Sequence, residues 1–395
     1  MKNISEICFK DKRVLTRVDF NVPLDDDFNI LDDSRIVAAL PTIKKVIDDG
    51  GKLILISHLG RPNGVCNTKY SLKHLIKHLT LLTKTKVVFC NDCIGANAKE
   101  AVKNMSNGEI LLLENLRFNT EEEKADEEFS KKLADLGDVY INDAFGTAHR
   151  THASTVAIAK YFSEKYFGYL LHKELTSLNV VLNNPESPVT AIIGGAKISG
   201  KIDVMQALCS KVDSLIIGGG MAYTFIKATG GNIGNSLVEE EKLLLAKRLI
   251  SIAEENQVKL LLPVDSVNNS SFNNDGDIVI SAIGDVPDGY MGLDIGEKSI
   301  SLFTTTILAS KTIIWNGPMG VFEFNSFKNG TKKIAEAVAL ATEKGAFSLV
   351  GGGDSVSAAK KFGLSKSFSC LSTGGGAMLK LLEGGELPAV NAILS

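Results

Sequence analysis

Gly194-Gly195-Ala196-Lys197-Ile198-Ser199-Gly200-Lys201 follows an apolar run at 189–193 and precedes a segment, 202–209, with helical spacing. That order predicts strand, glycine turn, helix. Glycine lets the backbone approach a bulky oxyanion with no side chain in the way. A helix start offers unpaired N–H groups and the positive end of a dipole. With Lys197 and Lys201 in the same turn, phosphate is the natural ligand. The segment nearly fits the P-loop pattern through Gly195, Gly200 and Lys201. It then fails at Ile202, where Ser or Thr should hold magnesium. The P-loop reading is therefore rejected and the anion-binding one kept. The plainer alternative is a strand-to-helix turn with two solvated lysines.

Outward from this turn the same rhythm repeats. Apolar runs at 14–18, 52–57, 87–89, 109–113 and 139–142 read as strands in the first half. Runs at 189–193, 214–217, 259–262, 312–316, 347–350 and 368–371 do so in the second. Helical patterns separate most of them: 34–47, 72–82, 96–105, 126–134, 239–255, 326–342 and 355–362. The alternation predicts an α/β chain of two doubly wound, parallel-sheet (Rossmann-like) lobes. A long helix over 169–182, ended by Asn183-Asn184-Pro185-Glu186-Ser187-Pro188, is the expected connector. The expected division is 1–168 as first lobe, 169–185 as connector, 186–372 as second lobe and 373–395 as a terminal segment.

Composition narrows the class. The chain has 395 residues, more than one ordinary core holds. Its 44% hydrophobic and 23% charged residues are those of a globular protein. No apolar run approaches the ~20 residues of a membrane span, and the first ten residues lack a signal peptide's apolar core. A cytoplasmic location is expected. The six cysteines are scattered, which is no disulfide framework. Cys90-Asn91-Asp92-Cys93 could be a zinc half-site or a redox pair, but no second pair completes it. Packing at a strand end is the simpler reading. A net charge of −3 without a basic tail argues against nucleic acid as main partner.

In parallel sheets, ligands sit beyond the carboxyl ends of strands. The first lobe's strand ends deliver Asp19, Asn21, His58, Arg61, Arg117 and Arg150, and Arg35 opens the first helix. Arginines gathered there suit a small substrate with carboxylate and phosphate groups, which guanidinium grips bidentately. Taken singly, each could be a surface ion pair. His58 and His149 are read as hydrogen-bond donors, since nothing around them has metal-ligand spacing. The second lobe's strand ends are bare backbone: Gly194-Gly195, Gly218-Gly219-Gly220, Asn316-Gly317-Pro318-Met319-Gly320 and Gly351-Gly352-Gly353-Asp354-Ser355. Gly219, Gly220, Asn316, Gly351, Gly352, Gly353, Asp354 and Ser355 are the candidate nucleotide contacts. Asp354 suits a magnesium bridging phosphates; its alternative is an ordinary helix cap. Glu323 could accept from ribose hydroxyls. A last glycine turn, Gly374-Gly375-Gly376, starts a helix that could stabilise a migrating charged group. No G-x-G-x-x-G occurs, which disfavours a dinucleotide oxidoreductase.

Together these segments resemble the phosphoglycerate kinase family. The match runs from about residue 13 to about residue 390. It is carried by Arg17-Val18-Asp19-Phe20-Asn21-Val22-Pro23, Ser57-His58-Leu59-Gly60-Arg61-Pro62, Leu113-Glu114-Asn115-Leu116-Arg117-Phe118 and Asp143-Ala144-Phe145-Gly146-Thr147-Ala148-His149-Arg150, with the glycine turns above. The resemblance implies reversible transfer of the acyl phosphate of 1,3-bisphosphoglycerate to Mg-ADP, giving 3-phosphoglycerate and ATP. It implies direct in-line transfer, a monomer and two lobes that close. It implies that Asp19, Asn21, Arg35, His58, Arg61, Arg117 and Arg150 bind 3-phosphoglycerate. Lys197 would follow the moving phosphoryl group, with Arg35 and the amides around Gly375. Lys201 would contact nucleotide phosphate, Glu323 the ribose and Asp354 the Mg2+. It also implies that the terminal segment packs on the first lobe. Two stretches depart from the family's habit: Ser266 to Ser271 is rich in Ser and Asn, and Glu297 stands where proline is usual. Rival readings are a kinase for another small carboxylate and a non-catalytic nucleotide binder.

Overall fold

The structure, a computed structural model, describes residues 3–395. The chain divides into two compact units. Unit one runs to Thr176 and takes in Glu386–Ser395; unit two is Ser177–Gly385.

Unit one is a six-stranded sheet in the order β3-β4-β2-β1-β5-β6. Its strands are β1 (Arg13–Val18), β2 (Lys52–Ile56), β3 (Val87–Cys90), β4 (Ile110–Leu113), β5 (Val139–Asp143) and β6 (Lys165–Phe167). All pairs are parallel, for example Thr16 beside Leu55 and Ile141. Between the strands lie α1 (Ser34–Asp48), α2 (Ile76–Thr83), α3 (Ala96–Lys103), α4 (Thr120–Glu123) and α5 (Glu127–Ala134). The spacing of Ile36, Ala39, Ile43 and Val46 turns one face of α1 onto Val14, Val18, Leu53 and Leu55, all buried. Each such aliphatic side chain contributes about 1.5–3 kcal/mol of burial. The last helix, α14 (Pro388–Leu394), also belongs to this unit: Ala389 and Ile393 are fully buried, and the Ala389 N–H donates to Ala148 O at 3.2 Å. The stretch read as a connector contains the helix α6 (Tyr169–Asn183), and the division between the units falls inside it, between Thr176 and Ser177.

Unit two has a second six-stranded parallel sheet, in the order β15-β14-β13-β7-β8-β9. Its strands are β7 (Val189–Ile193), β8 (Ser214–Ile217), β9 (Lys259–Leu261), β13 (Thr312–Asn316), β14 (Phe347–Gly351) and β15 (Cys370–Leu371). Its helices are α7 (Ile202–Leu208), α8 (Met221–Ala228), α9 (Leu243–Glu255), α10 (Glu297–Ala309), α11 (Asn329–Glu343), α12 (Gly353–Lys361) and α13 (Gly375–Leu382). Trp315 is fully buried at its centre.

A further sheet differs from the expectation. β10 (Asp265–Asn269), β11 (Ile278–Ala282) and β12 (Met291–Ile295) pair antiparallel in the order β11-β10-β12. The Ser- and Asn-rich stretch is its central strand. Ser266, Asn268 and Asn269 are fully buried there, and Asn268 Nδ2 donates to Val279 O and Ser281 Oγ, both at 3.0 Å. Side-chain amides thus satisfy a strand that lacks apolar alternation, which is why periodicity missed it. Glu297 opens α10, where its acidic side chain suits the helix dipole. The terminal stretch 373–395 is split: 373–385 stay in unit two and Glu386–Ser395 join unit one.

Candidate active site

In unit one the carboxyl ends of β1, β2, β4 and β5 carry the polar groups. Arg17, the penultimate residue of β1, is fully buried. Its Nε donates to Ser154 Oγ at 2.9 Å, its Nη1 to Val18 O, and its Nη2 lies 3.2 Å from His58 Nδ1. Ser154 passes the contact on: its hydroxyl and its N–H donate to Glu122 at 2.5 and 2.9 Å. Glu122 is fully buried, and burial raises its pKa although Arg17 opposes this. Sequence reading singled out neither Ser154 nor Glu122, because nothing in spacing joins residues so far apart. Arg35 Nη1 donates to Asn21 O at 2.8 Å and lies 3.3 Å from Asp19 Oδ1. Asn21 Oδ1 accepts the Gly60 N–H at 2.8 Å, which ties the first strand end to the second.

Arg117 is the most exposed to an energetic penalty. Its Nη1 donates to Gly60 O at 2.9 Å. Its Nη2 is buried with no hydrogen-bond partner; its Nε, also without one, lies 3.2 Å from Glu123 Oε1. Burial lowers its pKa. A buried guanidinium with unused donors is costly unless an anion completes it. His58 is held well below its ordinary pKa by burial first, then by Arg17, Arg117, Arg35 and Arg150, so it is neutral. These arginines therefore share one electrostatic field around His58. His149 and His152 are lowered too, His152 to about 4, again with burial as the main cause. Arg61 is exposed on the loop after β2.

In unit two the loops after β7, β8, β13 and β14 converge, since these strands are neighbours. Gly194 N–H donates to Asn316 O at 2.9 Å and Gly195 N–H to Pro318 O at 3.0 Å. A Cβ on Gly194 would collide with Pro318 O, so glycine is required by close approach. Asn316 Nδ2 donates to Gly351 O at 3.0 Å, and Gly317 N–H to Ser355 Oγ at 2.6 Å. Ser355 therefore ties loops together. Lys201 bends inward: Nζ donates to Gly194 O at 2.6 Å and Asn316 O at 3.1 Å. Burial lowers its pKa to about 8, against the pull of Asp354. Lys197 is exposed at the tip of the same loop. A Cβ on Gly375 would lie 2.7 Å from Gly352 Cα, so the start of α13 abuts the Gly351–Gly353 turn.

Beside these loops lies a cavity of about 270 Å³. Gly195, Gly219, Gly220, Gly320, Glu323 and Asp354 are among the residues that line it. Tyr223, Leu237, Pro263, Phe272, Ile283, Met291 and Leu293 supply apolar lining. Much of that apolar wall comes from the antiparallel sheet and its flanks, so the unread strands are also the unread half of the pocket. Apolar lining next to bare backbone suits a nucleotide base and its phosphates. Among the described residues no group of three or more His, Cys, Asp or Glu could hold a metal. The lone exposed carboxylate of Asp354 at a helix start fits an ion that takes its other ligands from phosphates and water, as magnesium does.

Comparison with known proteins agrees. The family model for phosphoglycerate kinase matches residues 4–385. The chain is 52% identical over 392 residues to the phosphoglycerate kinase of Chlorobium phaeobacteroides (strain BS1), covering 99% of both chains. It is 49% identical over 415 residues to that of Porphyromonas gingivalis (strain ATCC BAA-308 / W83), again with 99% of each covered. The structure of phosphoglycerate kinase from Coxiella burnetii superposes with a TM-score of 0.88 at 39% identity, over 99% of this chain and 98% of that one. The one from Pyrococcus horikoshii OT3 gives 0.84 at 30% identity, over 100% and 98%. With two parallel sheets, an arginine cluster at one and a glycine-ringed slot at the other, the chain belongs to the phosphoglycerate kinase family, phosphotransferases with a carboxyl group as acceptor.

Proposed function

We propose that the protein transfers the acyl phosphate of 1,3-bisphosphoglycerate to Mg-ADP and runs the reverse reaction from 3-phosphoglycerate and ATP. The observation that carries this reading is the buried, incompletely partnered Arg117 within a field of further arginines. Such a site calls for a small polyanion. Asp19, Asn21, Arg35, His58, Arg61, Arg117 and Arg150 would hold the three-carbon acid. Gly219, Gly220, Asn316, Glu323 and Gly351 to Ser355 would hold the nucleotide, with Lys201 supporting the phosphate loop. A cytoplasmic monomer fits this reading; among the described residues no helix is long and apolar enough to cross a membrane.

Transfer is direct and in line. The attacking phosphate oxygen of ADP is already anionic, so no general base is required, and His58 is neutral. Catalysis then rests on position and charge. Lys197, exposed on its loop, follows the phosphoryl group between donor and acceptor. Arg35 and the amides at Gly375 offset its spread charge. Asp354 would hold magnesium, which would supply positive charge to offset that of the phosphates. The two units close on each other to keep water from the acyl phosphate.

A coupled assay with 3-phosphoglycerate and Mg-ATP tests the reading, with other small carboxylic acids as competitors. Lys197→Ala is expected to lower kcat by about 10³-fold with an unchanged fold. Equal turnover with another acid, or a variant of near-normal kcat, overturns the substrate or the role.

A further inference from the structure

The turn that carries Lys197 is pinned by a side chain from far along the chain. Glu239 Oε2 accepts the Ile198 N–H at 2.6 Å and the Ser199 N–H at 3.1 Å. These are the two amides that follow Lys197. The Ile198 N–H belongs to the peptide unit whose carbonyl is that of Lys197, so the bond fixes the direction in which the Lys197 side chain leaves the backbone. Two successive amides aimed at one oxygen form an anion-binding nest, and here the chain fills it itself. Glu239 is held in turn: its N–H donates to Thr224 Oγ1 at 3.2 Å, on α8. The same helix grips the other end of the turn, through the Met221 N–H to Gly195 O at 3.0 Å. Ile198 is fully buried, whereas Lys197 is exposed. The lysine thus stands on a braced arch rather than a loose glycine loop. Burial of Glu239 is outweighed by the bonds from Ser199 and Ile198, which hold its pKa below the ordinary value.

We infer that Glu239 is a positioning residue for phosphoryl transfer: its carboxylate locks the peptide after Lys197 and presets where the ammonium group meets the transferring phosphate. The inference rests on the function proposed above. A loose Lys197 still reaches the phosphate but spends less time aligned, so the loss falls on kcat.

Glu239→Ala and Glu239→Gln are compared with the parent protein, and each is combined with Lys197→Ala. Glu239→Ala is expected to lower kcat about 10-fold or more with the KM for 3-phosphoglycerate within about 2-fold. Glu239→Gln, which keeps an acceptor oxygen, is expected to recover most of that loss. In the Lys197→Ala background Glu239→Ala is expected to have no further effect on kcat, because the group it positions is gone. Amide exchange at Ile198 and Ser199 is expected to speed up in Glu239→Ala while the rest of unit two stays protected. Multiplicative losses in the double variant, unchanged kcat, or a change confined to nucleotide KM overturn the inference. If the parent protein fails to turn over 3-phosphoglycerate, the proposed function falls instead; the exchange measurement still reads whether Glu239 braces the turn.

Discussion

Arg17 Nη2 and His58 Nδ1 lie 3.2 Å apart, both side chains being buried. Guanidinium has no acceptor, so the imidazole nitrogen must offer its lone pair. That fixes His58 as the Nε2–H tautomer, a donor ready for an anion. Nitrogen NMR is expected to find a pyridine-type Nδ1 and a pyrrole-type Nε2, unchanged between about pH 8 and about pH 5.5. Replacing Arg17 by Met should release the tautomer, while burial and the other arginines keep the ring neutral. A His58 that protonates near its ordinary pKa in the parent protein refutes the assignment.

Arg117 should trade stability for binding. Its buried Nη2 has no hydrogen-bond partner. Arg117→Met removes a desolvated charge while keeping much of the volume. Thermal unfolding is expected at an equal or higher temperature, with the KM for 3-phosphoglycerate raised about 100-fold and the nucleotide KM unchanged. A marked fall in Tm counts against the idea that this group waits for a ligand.

Lys201 sets a basic limit. Its folded pKa of about 8 means that the ammonium is lost above that pH. The kcat/KM for nucleotide is expected to fall above about pH 8, and Lys201→Met should show a lower, flatter profile. Stability moves the other way. Between about 8 and the unfolded value near 10.4 the unfolded chain binds more protons, so stability rises with pH there.

Asp294 lines the cavity of unit two, almost fully buried, and accepts the Gly330 N–H at 2.8 Å and the Ile295 N–H at 2.9 Å. Burial pushes its pKa up to about 7 despite these bonds. A raised carboxyl contributes stability that is complete below the unfolded pKa of about 3.9 and is lost as pH climbs to about 7. His58, His149 and His152 oppose this, since their lowered pKa values cost stability below about pH 6.5. Asp294→Asn leaves the histidine contribution in place. Acidification from about pH 7.5 to about 5.5 should therefore favour the parent over the variant in Tm; parallel shifts would rule out the raised pKa.

Much of this was legible in the residues. The parallel strands announced themselves because they are apolar on both faces, as in Leu53-Ile54-Leu55-Ile56. The loops after them could then be read as sites by topology alone. The antiparallel sheet was hidden because Ser266 and Asn268 satisfy one another inside it, so its central strand shows no alternation. The apolar wall of the slot was lost with it. The braces were equally silent: Glu122 beneath Ser154 and Glu239 beneath Ile198 are polar groups whose partners lie far along the chain. Lys201 was read as a phosphate ligand from its place in the turn; folding directs its ammonium to Gly194 and Asn316 carbonyls.

Unit two is spliced into the chain of unit one, whose final helix contributes Ala389 against Ala148 in the loop that bears Arg150. A ribosome delivers residues in order, so the inserted unit can be finished while its host still lacks a wall. The loop bearing Arg150 gains its packing against Ala389 only after all of unit two has been synthesised, so the host is completed after the unit it carries.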